Sequence, residues 1–352
     1  MNYEKHITIC KRRNNANRSF LVCNDLQCKH VPSSPTKALD MFKELANKFI
    51  EFKNRSDVLV IGFAETATAI GAAVACELNV KYVHTTRENV NQQTFTFTES
   101  HSHAPVHLLP VDILNGIKTV VIIEDELTTG STVLKLCRAL KTLQNNVALY
   151  VGTIADNRPT DSNVQFNAEG IIVKSLVSLD TTYFDLIARD VIDNERLCTL
   201  RPDIDNDSIE VRVPNPRRVV ESAEYTARLN DMCNRVEVPH GNGITLVLGT
   251  EECMYPAIYL GSYLEDKGCR TVCHATTRSP IVTSDKPGYV LRSGVCMRSV
   301  YDLDRITYLY NLRKYDKVFI VTDSCNELND LIVVLQAEGC ADITVIRLKE
   351  VL

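Results

Sequence analysis

The sequence predicts an α/β protein built from two parallel sheets in tandem. Three observations carry that reading. Short, continuous, β-branched apolar runs alternate with helical patterns along most of the chain, as in a parallel sheet covered by helices on both faces. The 352 residues exceed the length of one ordinary domain, about 100–200 residues. Three short motifs recur in the two halves in the same order.

Ser34-Pro35 opens the first helix, a cap followed by proline at the first helical position, with Phe42, Leu45 and Phe49 on one face. Val58-Leu59-Val60-Ile61 is the first core strand, and an alanine-rich helix follows from Thr66 to Leu78. Lys81-Tyr82-Val83-His84 is a second strand. Thr119-Val120-Val121-Ile122-Ile123 is a third, leading into a helix that carries Val133, Cys137, Leu140 and Leu143. A fourth runs from Val147 to Val151, and Ile171-Ile172-Val173 is a strand in an otherwise weakly patterned stretch. Val213-Pro214-Asn215-Pro216-Arg217-Arg218 is excluded from helix and central strand by its prolines and is the expected linker. The expected domains are therefore residues 1–210 and 211–352. The second α/β pattern begins at Ile244-Thr245-Leu246-Val247-Leu248 and ends with a strand from Ile343 to Ile346.

The halves echo one another. Gly62-x2-Glu65, Thr85-Thr86-Arg87 and Asp125 each follow a strand of the first half. Gly249-x2-Glu252, Thr276-Thr277-Arg278 and Asp323 follow strands of the second. This order suggests a duplicated fold whose second copy is degenerate.

A net charge of −5, with 45% hydrophobic and 24% charged residues, describes a folded chain without a basic field for nucleic acid or acidic membrane. Lys11-Arg12-Arg13 reads as a short solvated end. No run approaches the ~18–20 apolar residues of a membrane span, and the start lacks a secretory apolar core. With thirteen cysteines, an odd number, the expectation is a reducing cytoplasm and free thiols. Cys23-x4-Cys28 with His30, and Cys269-x3-Cys273-His274, lack the tight paired spacing of a zinc site.

The most informative stretch is Val120-Val121-Ile122-Ile123-Glu124-Asp125-Glu126-Leu127-Thr128-Thr129-Gly130-Ser131-Thr132. An apolar strand ends in acids, and a threonine, glycine and serine turn then opens a helix. Such a turn offers backbone N–H groups, hydroxyls and a helix N-terminus to a phosphate. Acids beside a phosphate make sense when they hold sugar hydroxyls, or a hydrated magnesium that a pyrophosphate completes. The end of a parallel strand is also where such sheets bind ligands.

This stretch closely resembles the 5-phosphoribosyl-1-pyrophosphate (PRPP) motif of type I phosphoribosyltransferases. The resemblance assigns Glu124 and Asp125 to the ribose hydroxyls and Thr128, Thr129, Gly130, Ser131 and Thr132 to the 5′-phosphate. Magnesium is implied through pyrophosphate, Glu124 and Asp125. Gly62-Phe63-Ala64-Glu65-Thr66 matches the loop that meets pyrophosphate, and Arg87 can clamp its oxygens as a planar fork. In this family the interval between Glu88 and Pro110 is a lid, here containing Phe95, Phe97 and the Glu99-Ser100-His101-Ser102-His103 stretch. His101 and His103 are candidates to donate to pyrophosphate or move a proton on the acceptor, the alternative being two idle surface histidines.

Arg18-Ser19-Phe20-Leu21-Val22, Lys29-His30-Val31-Pro32 and Thr276-Thr277-Arg278-Ser279-Pro280 narrow the resemblance. Together they look like the two-domain phosphoribosyltransferases with a C-terminal TRSP domain, found in bacterial tellurium-resistance and stress gene clusters. That resemblance implies a cytoplasmic enzyme of a stress-linked, nucleotide-like pathway, acting on PRPP and a base-like acceptor, with no nucleic-acid or membrane partner. Whether it forms a homodimer is left open. Cys28 stands where the pattern predicts glycine. Lys29, His30, Glu252, Thr277 and Arg278 are candidates for an acceptor or second-domain site, with a purely structural role for the TRSP motif the alternative. The second half reads Thr322-Asp323-Ser324-Cys325-Asn326-Glu327-Leu328-Asn329-Asp330 where the first has its phosphate turn, so its PRPP site is expected to be lost. A non-catalytic PRPP or nucleotide sensor is the rival function. A ribose-phosphate pyrophosphokinase is disfavoured, because its motif belongs in the second half.

Overall fold

In a computed structural model, which describes residues 2–13, 18–88, 90, 92–98, 106–195, 197–199 and 208–351, the chain starts with an antiparallel hairpin. It joins β1 (Ile7–Lys11) to β2 (Phe20–Asn24). Helix α1 (Pro35–Asn47) begins where Ser34-Pro35 predicts, with the Ser34 hydroxyl accepting from the Lys37 N–H at 3.4 Å. Then come β3 (Val58–Gly62), α2 (Ala67–Leu78), β4 (Lys81–His84) and a hairpin of β5 (Thr94–Thr98) and β6 (Val106–Pro110). They lead to β7 (Thr119–Leu127), α3 (Ser131–Leu143), β8 (Ala148–Asp156), α4 (Thr160–Ala168) and β9 (Ile172–Ser178). Strands β4, β3, β7, β8 and β9 lie side by side in that order, all parallel. Every residue of β3 is buried, which is why its sequence is continuously apolar rather than alternating.

The second half adds α5 (Phe184–Arg189), β10 (Leu197–Thr199), β11 (Ser208–Val213), β12 (Val220–Glu221), α6 (Ser222–Asn234), β13 (Ile244–Gly249), α7 (Tyr255–Asp266) and β14 (Arg270–Ala275). The hairpin β15 (Gly294–Arg298) with β16 (Ile306–Tyr310), then β17 (Lys317–Thr322), α8 (Asn329–Ala337) and β18 (Ile343–Glu350) complete it. Its parallel sheet runs β14, β13, β17, β18, β11. The first four repeat the order β4, β3, β7, β8. Each half also inserts a hairpin after its second strand, tied back by an isolated bridge, Thr86 to Leu108 in one and Thr277 to Tyr308 in the other. The motif echo thus coincides with a shared topology.

The predicted linker is not a spacer. Val213 ends β11 in the second sheet, residue 210 lies inside that strand, and β12 then pairs antiparallel with β4 of the first sheet. Between them Arg217 is buried. The prolines do forbid regular structure, but the segment stitches the sheets together. The halves also share one apolar core, in which α1 and α2 meet α6 and α7 through Phe42, Ile70, Leu229 and Leu260. Glu265 of α7 accepts from the Thr36 N–H at 3.0 Å and the Ser34 hydroxyl at 3.1 Å, occupying the N-terminus of α1 from the other half.

Candidate functional site

The first half reverses its winding at β3, whose neighbours are β4 and β7. A crevice must open where the chain leaves adjacent strands in opposite directions. There lies a cavity of about 500 Å³. Phe63, Ala64, Glu65 and Thr66 form one wall, Glu124 and Asp125 another, and Thr128, Thr129, Gly130, Ser131 and Thr132 a third, with Arg87 and His30 also lining it.

Local sequence explains each wall. Gly62 ends β3 in a close turn, and a Cβ there would lie 2.7 Å from the Ala67 carbonyl oxygen. Gly130 has φ +69° directly before α3, and a Cβ would meet the Phe166 ring at 2.7 Å. Gly130, at the N-cap of α3, has no side chain to bond the first turn, so apart from the Ser131 N–H the first N–H groups are left to the cavity side of the turn. Thr129 Oγ1 accepts weakly from the Ser131 N–H at 3.3 Å and donates to Ser131 Oγ at 3.1 Å, which shapes the turn.

Burial pushes the Asp125 carboxyl above its ordinary value, with neighbouring Glu126 adding to the rise and a hydrogen bond from Glu124 opposing it. Burial also works against charge on Glu65, but Lys29 and Arg278 together hold that carboxyl below its ordinary range. Lys29 lies beneath the cavity, bonded to Glu65 and to the Thr276 carbonyl at 3.2 Å. His30 has no hydrogen-bond partner on either ring nitrogen among the described residues. Burial, then the charge of Lys29, pushes its pKa down to about 3, so the ring is neutral.

Not every candidate residue meets here. Glu252 is buried outside this cavity, accepting from Thr86 Oγ1 at 2.7 Å, the Arg87 N–H at 3.0 Å and Arg217 Nε at 3.2 Å. Thr277 shapes a turn by accepting from the Ser279 N–H at 3.1 Å. His101 and His103 lie outside the described residues. The interval expected as a lid contains strand β5, whose Phe97 packs on Phe63 at 5.7 Å and stacks on His107 at 5.2 Å.

The sequence singles out none of His107, Arg12, Arg13, Arg18, Arg305 or Tyr308 as a cavity residue, yet all six line it, although residues 10–33 are where a hood over the acceptor is expected. His107 is buried in the cavity wall, its Nδ1 3.0 Å from Thr85 Oγ1 and its Nε2 3.4 Å from Arg87. A lone histidine inside Val106-His107-Leu108-Leu109 carries no signal beyond breaking an apolar run. Arg12 and Arg13, expected as solvated, line the cavity because an isolated bridge from Arg12 to Ile281 folds them onto the second half. Arg18, which also lines it, bonds Glu126 and covers the Phe20 ring at 4.5 Å.

With this geometry in place, comparisons with known proteins settle the family. A phosphoribosyl transferase family model matches residues 7–180, and the model of the TRSP domain found C-terminal to it matches residues 218–337. The chain belongs to the phosphoribosyltransferases with a C-terminal TRSP domain. It is similar to an orotate phosphoribosyltransferase of Desulforamulus reducens, 29% identical over 154 residues, which are 44% of this chain and 71% of that protein. Among solved structures, the APRTase of Giardia lamblia gives a TM-score of 0.40 at 13% identity, covering 51% of this chain and 96% of that one. Adenine phosphoribosyltransferase of Thermoanaerobacter pseudethanolicus gives 0.38 at 15%, covering 50% and 98%. Those two likenesses are too distant to carry weight. The phosphoribosyltransferase is a pentosyltransferase, and no described helix is long and apolar enough to cross a membrane.

Proposed function

We propose that this phosphoribosyltransferase moves a 5-phosphoribosyl group between PRPP and a base-like nitrogen acceptor, with pyrophosphate released or consumed. The observation that carries this reading is one cavity lined by an acid pair, an uncapped glycine turn and Arg87. Each matches a different part of PRPP. Glu124 and Asp125 accept from the ribose hydroxyls, residues Thr128 to Thr132 take the 5′-phosphate, and Arg87 and the Gly62–Thr66 loop face pyrophosphate. Leu21 of the N-terminal hairpin and Pro280 and Tyr308 of the second half offer flat and apolar surface for the acceptor. Similarity to an orotate phosphoribosyltransferase supports a base-like acceptor, and the paired domains support a stress-linked nucleotide-like pathway.

Magnesium fits as a partner of the substrate. No described cluster of three or more His, Cys, Asp or Glu side chains can hold a metal by itself. Glu124 and Asp125 can supply two carboxylates, leaving the remaining positions to pyrophosphate oxygens and water. When bound, the ion stabilises charge on the leaving pyrophosphate. The chain's own residues hold the sugar, orient the leaving group and exclude water from the reacting carbon.

The reading is tested by incubating the protein with PRPP, magnesium and a metabolite extract, then searching by mass spectrometry for ribophosphorylated products. A new product formed together with pyrophosphate is expected. PRPP bound but never consumed would instead make the protein a sensor.

A further inference from the structure

Arg278 belongs to the second half, yet it lines the cavity of the first. Its side chain is 9% exposed and lies among four carboxylates. Nε is 2.5 Å from Glu251 and 3.4 Å from Glu65, while Nη2 meets Glu88 and lies 3.4 Å from Glu252. These contacts occupy Nε and Nη2. Buried Nη1 has no hydrogen-bond partner among the described residues. A guanidinium donor buried without an acceptor is costly, and the neighbouring cavity is where an acceptor can arrive.

We propose that Arg278 is a ligand contact of this site, its Nη1 donating to an anionic oxygen at the pyrophosphate end of PRPP, so that the second domain supplies one side of an arginine clamp whose other side is Arg87. This rests on the phosphoribosyl-transfer reading and extends it to the TRSP domain. Arg87 and Arg278 follow equivalent strands, each after a pair of threonines, and both line the cavity. Their backbone contacts are reciprocal. The Arg87 N–H donates to Glu252 of the second half at 3.0 Å, and the Arg278 N–H donates to Glu65 of the first at 3.3 Å. Glu65 alone would repel a pyrophosphate. Paired to Lys29 and Arg278, it instead anchors the loop that must face one. Arg278 therefore both positions that loop and presents a planar donor beside it.

Calorimetry on the full chain separates the outcomes. Magnesium pyrophosphate and ribose 5-phosphate are titrated separately into wild type, Arg278→Lys and the double variant Arg278→Gln/Glu88→Gln. Lysine keeps a cation among the carboxylates but lacks Nη1, and the double variant keeps their balance if lysine does not fold. Pyrophosphate affinity is expected to fall about tenfold. Ribose 5-phosphate affinity, which reads the acid pair and the glycine turn, should hold, and Arg278→Lys, which keeps the cation, should also hold the melting midpoint. Unchanged pyrophosphate affinity in the folded variants overturns the proposal. Equal loss for both ligands also overturns it, because that is a structural collapse. If wild type binds neither ligand, the phosphoribosyl-transfer reading itself fails, and the inference with it.

Discussion

Asp125 lies near the end of β7, which runs on to Leu127, and Asp323 directly follows β17. These two equivalent aspartates meet different fates. Asp125 lines an open cavity beside Glu124, and the turn after it leaves a glycine and an uncapped helix facing that space. Asp323 accepts from Arg217 and from the Tyr301 hydroxyl. The turn after it is spent internally: Ser324 Oγ donates to the Val300 carbonyl at 2.5 Å, and Arg347 donates to the Ser324 and Asn326 carbonyls at 2.9 and 3.0 Å. Acidic Asp330 sits in the first turn of α8, held by Arg298. Topology alone therefore does not make a site. The first half leaves its glycine turn open at the switch point, whereas the second ties up the equivalent aspartate and turn with its own side chains, beside cavities that Asp323 and Arg217 still line.

Breaking those ionic contacts has the largest expected effect. Arg217→Ala removes the cation between Glu252 and Asp323, two carboxylates that it bonds in a buried setting. Loss of one partner from a buried ionic cluster costs about 3–5 kcal/mol. Denaturant unfolding should show that loss while a PRPP titration still gives one site per chain. A second PRPP site in wild type or variant would refute the view that the second half has lost it.

Next comes a matched pair. Asp125→Asn should weaken PRPP and ribose 5-phosphate by roughly 10- to 100-fold without unfolding the protein, since a charged acceptor paired to hydroxyls contributes ~1.5–3 kcal/mol. Asp323→Asn should leave both affinities in place and lower stability instead. Calorimetry showing PRPP binding untouched in Asp125→Asn would sink the ribose assignment.

These contrasts show what the sequence made legible. The acidic strand end and the Thr128–Thr132 turn are contiguous, so their chemistry can be read from spacing, and the echo of Gly62, Thr85 and Asp125 in the second half marks the repeated strand order. Arg217 looked like part of a linker because its role depends on Glu252 and Asp323, which lie far along the chain. Arg12 and Arg13 read as a solvated end for the same reason, since only the contact with Ile281 brings them to the cavity. The β5 strand was hidden because Thr94-Phe95-Thr96-Phe97-Thr98 alternates over too short a run to stand out from a polar loop.

A smaller effect comes from pH. Burial raises the Asp125 carboxyl, so the ligand-free protein holds that proton to a higher pH than an exposed aspartate does. Any stability gained from the protonated form is present at low pH and lost as pH rises through the raised value. Binding runs the other way, because ribose hydroxyls need an ionised acceptor. Ribose 5-phosphate affinity should be full above the raised value and decline as pH falls through it. In Asp125→Asn that acid limb should vanish, and an unchanged limb in this variant would assign the titration to another group.

The smallest effect concerns how each half delivers the cation that holds its loop glutamate. In the second half Arg217 follows Pro216, whereas Lys29 follows Cys28, which has φ +55° where the family pattern predicts glycine. A left-handed residue with a side chain costs about 1–2 kcal/mol, which Cys28→Gly removes. Glycine also gives the unfolded chain about 0.5–1 kcal/mol of extra freedom and loses a fully buried thiol that sits 3.7 Å from the Ser33 carbonyl. These terms nearly cancel, so Cys28→Gly should stay within about 1 kcal/mol of wild type in denaturant unfolding. Cys28→Val, whose β-branch resists the left-handed region, should lose more than that. If glycine were the worse of the two, the thiol contacts rather than the backbone shape would be what sets Lys29 under Glu65.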